Sequence, residues 1–152
     1  MHRIIISDTS CLIILSKIQE LELLQKLYGT IITTQDVADE FGEMLPDWII
    51  IENAKDKYHQ RILELQIDKG ESSAIALALE IPDSILILDD FKARKVAGNL
   101  GLRFTGTIGI IIKAKLSALI PSIKPLLEKI VATDFRISAE IELQALKEAG
   151  EI

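Results

Sequence analysis

Five short apolar runs, at residues 4–7, 30–33, 48–51, 85–89 and 102–105, punctuate the chain and read as strands. Several are unbroken by polar residues, the pattern of strands buried on both faces of a parallel sheet. Between them the periodicity turns helical. "CLIILSKIQELELLQKLYG" reads as one or two helices, with Leu21, Leu24 and Leu27 recurring every third residue and Gly29 at the C-cap position. "TQDVADEFGEM" reads as a short helix capped by Thr34. "AKDKYHQRILELQI" reads as an amphipathic helix with Tyr58, Ile62 and Leu65 on one side. "GESSAIALALE" is small and apolar on nearly every turn, which suits close packing. "FKARKVAGNLG" and "TIGIIIKAKLSAL" follow the fourth and fifth strands, and two more helices are expected at 122–131 and 137–149. Strands alternating with helices predict an α/β fold with a central, mostly parallel sheet, as one domain over residues 1–152. The charged stretch after "TDFRIS" reads as peripheral, reaching over the domain or contacting a second copy.

Composition narrows the class. Hydrophobic residues make up 49% of the 152 and the mean hydropathy is +0.30, enough for a sizeable core. No apolar run reaches the roughly 18 residues of a membrane span, and "MHRIIISDTS" meets an acid too soon for a signal-peptide core. The single cysteine, Cys11, permits no internal disulfide, fits a reducing cytoplasm and reads as a small buried hydrophobe. Two histidines, His2 and His59, are too few for a zinc site of the His/Cys type.

The net charge of −6 argues against sequence-independent nucleic-acid binding by bulk charge. Its distribution is uneven. Residues 91–127 hold no acid and seven bases: Lys92, Arg94, Lys95, Arg103, Lys113, Lys115 and Lys124. Such a run is either a solvated face or a basic surface beside an acidic pocket.

Sites in open α/β sheets form outside the carboxyl ends of the strands. Four groups of acids are expected there: Asp8 after the first strand, Glu40 in "DVADEF", Glu71 in "GESSAIALA", and Asp89 with Asp90 in "ILILDD". Each has a plain structural reading. Asp8 can cap the helix that follows, worth about 1 kcal/mol. Glu71 on a first turn gains about 0.3–1 kcal/mol from the helix dipole. Glu40 stands among the other acids Asp39 and Glu43, and Asp89–Asp90 can simply end a strand. Together they read differently. Acids at the ends of buried strands repel and are desolvated unless a cation or proton offsets them. Hard divalent cations such as Mg²⁺ and Mn²⁺ take oxygen ligands, and such clusters support phosphodiester hydrolysis by metal-activated water. No Ser–His pair offers another nucleophile. This reading requires the carboxylates to converge at one end of the sheet.

These motifs resemble the PIN domain family of metal-dependent ribonucleases, which includes the VapC-type toxins of toxin–antitoxin pairs, and more narrowly a PIN-like prokaryotic branch of uncharacterised function. The likeness is carried by "IIISDTS" with Asp8, "VADEF" with Glu40, "GESSAIALA" with Glu71 where most toxins have Asp, and "LILDD". Residue by residue, Leu88 takes the family's Thr position and Asp90 its Asp, with Asp89 in the variable place; Asp90 is favoured as the ligand and Asp89 kept. "DDxxAR" is matched by Asp89, Asp90, Ala93 and Arg94, and "GTxG" by Gly106, Thr107 and Gly109. The likeness covers most of residues 3–118, and less of the chain beyond Ser122.

It implies a three-layer α/β/α fold, RNA cleavage dependent on Mg²⁺ or Mn²⁺, metal ligands among Asp8, Glu71, Asp89 and Asp90 with Glu40 in the catalytic set, frequent homodimers and a small antitoxin partner. Lys92, Arg94, Lys95, Arg103 and Lys113 then form the candidate surface for the RNA backbone. Thr9, Ser10 and Thr107 are candidates to orient ligands or water. A haloacid-dehalogenase-type phosphotransferase needs a second Asp where Ser10 stands, and a receiver domain places its acid pair after the first strand. The remaining alternative is a PIN-fold module that binds RNA or a partner without cleaving, a reading prompted by Glu71 and Leu88.

Overall fold

The computed structural model describes residues 3–152, so His2 lies outside the described residues. Strands form at Ile4–Ser7 (β1), Ile31–Thr33 (β2), Ile49–Ile51 (β3), Ser84–Ile87 (β4) and Arg103–Thr105 (β5). The helices are Thr9–Lys17 (α1), Glu22–Tyr28 (α2), Gln35–Phe41 (α3), Tyr58–Leu63 (α4), Lys69–Glu80 (α5), Phe91–Asn99 (α6), Thr107–Leu116 (α7), Lys124–Val131 (α8) and Ala139–Glu148 (α9).

All five strands pair in parallel in the order β3-β2-β1-β4-β5. Successive strand residues face opposite sides of a sheet, and both sides of this one are covered. Ile5, Ile31 and Ile87 enter one core with residues of α1, α2, α7, α8 and α9. Ile6, Leu86 and Leu88 enter the other with Leu63, Ile67 and the small side chains of α5 and α6. The result is a three-layer α/β/α sandwich, and it explains why the strands read as unbroken apolar runs. From β1 the chain runs outward through β2 to β3, then returns to the other side of β1 for β4 and β5. The carboxyl ends of β1 and β4 therefore flank a topological switch point, where open α/β sheets form a crevice.

The long helical stretch after β1 divides in two. Gln19, at φ 61, turns the chain between α1 and α2, and Gly29 ends α2. Thr34 caps α3, its Oγ1 accepting from Val37 N at 3.2 Å. The fourth strand ends at Ile87, so Leu88, Asp89 and Asp90 stand beyond it. The closing stretch reaches over the domain: Ala145 and Ala149 are buried in the same core as α7. Glu151 accepts from Ser122 Oγ at 2.6 Å and Ile123 N at 2.7 Å. Those two bonds, the Ser122 hydroxyl foremost, with a smaller contribution from Lys115, hold its carboxyl down to about 2. Among the described residues no helix is long and apolar enough to cross a membrane.

One expectation is corrected. Tyr58, Ile62 and Leu65 do not form a buried face; all three are exposed, Leu65 to 84%, while Gln60, Leu63 and Ile67 turn inward. Helical phase carried from Tyr58 to Ile67 assumed one continuous helix. α4 stops at Leu63 and residues 64–68 form a turn, so Ile67 reaches the core from outside the helix. Ile67→Ala is therefore expected to cost about 2–5 kcal/mol and Leu65→Ser to stay within about 0.5 kcal/mol, measured by urea denaturation.

Candidate active site

Because each of β1, β4 and β5 feeds a helix at its carboxyl end, the N-termini of α1, α6 and α7 gather along one edge of the sheet. α5 starts at the same edge. Free N–H groups and the positive ends of helix dipoles favour carboxylates there. Four of the five acids singled out in the sequence are held on these donors.

Asp8 follows β1 and caps α1. Its Oδ1 accepts from Cys11 N at 3.2 Å. The residue is only 1% exposed, and its Oδ2 is buried with no hydrogen-bond partner. Burial pushes its carboxyl well above the usual carboxylate range. The charge of Asp89 and, less, of Glu71 pushes the same way, against the Cys11 and Asp89 backbone N–H groups.

Asp89 spans to α7. Its Oδ1 accepts from Thr107 N at 2.8 Å and its Oδ2 from Thr107 Oγ1 at 2.6 Å. Asp90 is exposed and caps α6, accepting from Ala93 N at 3.0 Å. Asp89 thus lies on the Asp8 side of the crevice, while Asp90 bears on Glu71.

Glu71 belongs to a capping box. Asp68 Oδ1 accepts from Glu71 N at 2.8 Å, and Glu71 Oε1 accepts from Asp68 N at 3.3 Å. Burial, then the charges of Asp68 and Asp90 and more weakly of Glu40, raise its carboxyl to about 7. Glu40, near the end of α3, accepts from Thr9 Oγ1 at 2.5 Å. That position depends on Gly70. A Cβ on Gly70 would fall 2.1 Å from Glu40 Oε1 and 3.1 Å from Thr9 Oγ1. Gly106 plays the matching part beside Asp89, where a Cβ would lie 2.8 Å from Asp89 Oδ1 and 2.1 Å from Arg94 Nη2. Gly70 and Gly106 stand within the motifs "GESSAIALA" and "GTxG", where nothing local signals these parts. Asp68 is a functional neighbour missed in the sequence, although an acid three residues ahead of Glu71 is a capping-box signal.

The acids share one edge but do not close into a cage. Among the described residues, no three histidine, cysteine or carboxylate groups stand close enough together to enclose a metal ion in this arrangement. The like charges are held on separate donors: Asp8 on α1, Asp89 on α7, Asp90 on α6, Glu71 on the Asp68 amide, and Glu40 on Thr9. Ser10 is half-buried, and its hydroxyl makes no hydrogen bond among the described residues.

The basic residues divide. Lys92 and Lys95 are exposed on α6, the helix that Asp90 caps. Arg94 donates from Nε to Leu88 O at 2.6 Å and lies over the Phe104 ring, 5.3 Å from its centroid. Arg103 starts β5, paired with Ile85 at the opposite end of the sheet. Lys113 sits over Tyr28 at 4.7 Å, beside Arg3 and Ile85, also at that far end. The structure therefore does not join these five into one surface around the acids.

A family model described as DUF3368: PIN domain matches residues 4–151. No curated protein matches the chain.

Raised carboxyl pKa values make a signed prediction. A group whose pKa is higher folded than unfolded destabilises the fold when ionised, and the penalty fades as pH falls through the folded value toward the unfolded one. For Glu71 that window runs from about 7 to the ordinary 4.5, and Asp8 acts in the same direction. Metal-free protein should melt at a higher temperature at pH 5.5 than at pH 8. Asp8→Asn, which keeps a good N-cap, should raise the melting temperature at pH 8 by about 2–4 °C per kcal/mol relieved and flatten the pH dependence. Thermal melts of the two proteins in chelator check this.

Proposed function

The chain belongs to the PIN domain family, whose members are generally nucleases, and we propose that it is a metal-dependent endoribonuclease. The observation that carries this reading is the buried, unpartnered Oδ2 of Asp8, in a carboxyl destabilised by the neighbouring charges of Asp89 and Glu71. A buried acid in that state calls for a cation or a proton. An all-oxygen donor set suits Mg²⁺ or Mn²⁺ rather than softer metals. Asp8, Glu71 and the Asp89–Asp90 pair are the residues that would hold such an ion. It would supply charge neutralisation at the phosphodiester and activation of the attacking water.

The chain's own groups do the rest. Thr107 occupies both oxygens of Asp89, so Asp89 would have to turn from it, or use the remaining lone pairs of those oxygens, to reach the ion. Glu71 Oε1 is tied to the Asp68 amide, which leaves Oε2 for the ion. Thr9 holds Glu40 Oε1, and the other oxygen of Glu40 is available to take the proton of the attacking water. Lys92 and Lys95, exposed on α6 beside Asp90, would pair with phosphates on either side of the scissile bond. Water attacks phosphorus as Glu40 takes its proton, the bond to the leaving oxygen breaks, and that oxygen takes up a proton from solvent, to which Glu40 then releases its own.

The resemblance to VapC-type toxins supports a finer proposal: a cytoplasmic toxin, homodimeric and paired with a small antitoxin. A second reading, a PIN-fold RNA-binding or partner-binding module without cleavage, is favoured by Glu71 and Leu88, which stand where the toxins it resembles have Asp and Thr.

One assay separates the two readings. Single-stranded RNA should be cut in Mg²⁺ or Mn²⁺ and left intact in EDTA. Asp8→Asn and Glu71→Gln, each folded by circular dichroism, should cut at least about 100-fold more slowly. RNA that is bound with equal affinity but never cut in either metal would establish the module instead.

A further inference from the structure

Phe91 is the first residue of α6, directly after Asp90, and it is 81% exposed. A solvated phenylalanine beside an acidic crevice gains nothing from the fold. Arg94, three residues on, shares its helix face. The Arg94 guanidinium is pinned by Leu88 O and lies across the Phe104 ring. Phe104, on edge strand β5, is itself 36% exposed. The ring lies along α6 at Gly98, where even a Cβ would sit in ordinary contact, 3.8 Å from Phe104 Cε2. Aromatic, cation and aromatic thus follow one another outward from the acids. The strip ends in a cavity of about 360 Å³ between β5, α7 and α9, lined by Arg94, Phe104, Gly106, Ile141, Gln144 and Glu148.

We propose that this strip seats the bases of single-stranded RNA on one side of the scissile phosphate, Phe91 and the Arg94–Phe104 pair each stacking one base. The proposal rests on the nuclease reading for its substrate. Planar faces beside a half-buried guanidinium match the chemistry of unpaired bases. Lys92 and Lys95 on the same helix supply charge for the accompanying phosphates. The amide of Gln144, bonded at 3.1 Å to Glu148, offers hydrogen-bonding groups to a base edge in the cavity.

The test is equilibrium binding of a short single-stranded RNA carrying 2-aminopurine, in EDTA so that nothing is cut. Phe91→Ala should weaken binding about 5- to 100-fold and leave the dependence on salt unchanged, because no phosphate contact is lost. Phe91→Tyr should restore affinity. An RNA abasic at the stacked position should bind wild type and Phe91→Ala alike. Phe104→Leu, which keeps an apolar side chain on β5, should also weaken binding. Wild-type affinity in both Phe91→Ala and Phe104→Leu would overturn the proposal, as would a wild-type protein that binds no single-stranded RNA. A change of oligomeric state in Phe91→Ala with RNA binding intact would overturn it in favour of a protein contact. Phe91-dependent binding without cleavage in any metal would leave the stacking strip standing and sink the nuclease reading alone.

Discussion

The carboxylate of Asp8 sets the terms for everything around it. It stands at the end of the central strand, inside the protein, with one oxygen bonded and the other bare. An ionised group there is tolerated only through what faces it. The fold supplies the N-terminus of α1 below it and, along the same edge, the N-termini of α5, α6 and α7. These helix starts hold four of the five acids, so the repulsion at this edge is offset by backbone dipoles even without an ion. The offset is incomplete, since the Asp8 and Glu71 carboxyls remain above their ordinary range. That residual instability is the physical basis for assigning a cation to the site.

Structural and functional roles therefore coincide in the same atoms. Asp8 caps α1 with one oxygen and leaves the other open. Glu71 closes a capping box with Oε1 and leaves Oε2. Asp90 caps α6 through Oδ2 alone. A cap fixes the direction of a side chain as firmly as a purpose-built support, so the helices that frame the crevice also aim its acids. Asp89 is the exception, both its oxygens being committed to Thr107.

The sheet and its sequential partners were legible in the sequence because strands buried on both faces must be largely apolar, as the inner strands β1, β2 and β4 are, while the edge strands β3 and β5 are more exposed. The sequence also marked the helix caps at Asp8 and Thr34, whose chemistry is local. Legibility ended where phase ran through a break: Leu65 and Ile67 differ by two positions, and only the end of α4 at Leu63 decides which is buried. The acids were recognisable as a set from their places after strands. Their partition was not, because Asp89 and Asp90 are neighbours in sequence yet lean toward α7 and α6 respectively. The basic run misled for a similar reason. Residues 91–127 include α6, β5, all of α7 and the start of α8; α6, β5 and α7 traverse the sheet in turn, so Arg103 and Lys113 end up at the edge opposite Lys92 and Lys95. Gly70 and Gly106 carry no chemistry of their own, and only the clash a Cβ would make shows what they permit.

The claim that this edge holds a divalent cation is tested most directly by a crystal structure of the protein soaked in Mn²⁺, with anomalous diffraction to locate the metal. The account predicts one peak within ligand distance of Asp8 Oδ2 and shared with Glu71 or the Asp89–Asp90 pair, the carboxylates having turned from their separate donors toward it. Diffraction showing no manganese at Asp8, with its Oδ2 still unpartnered or capped by a proton, would contradict it.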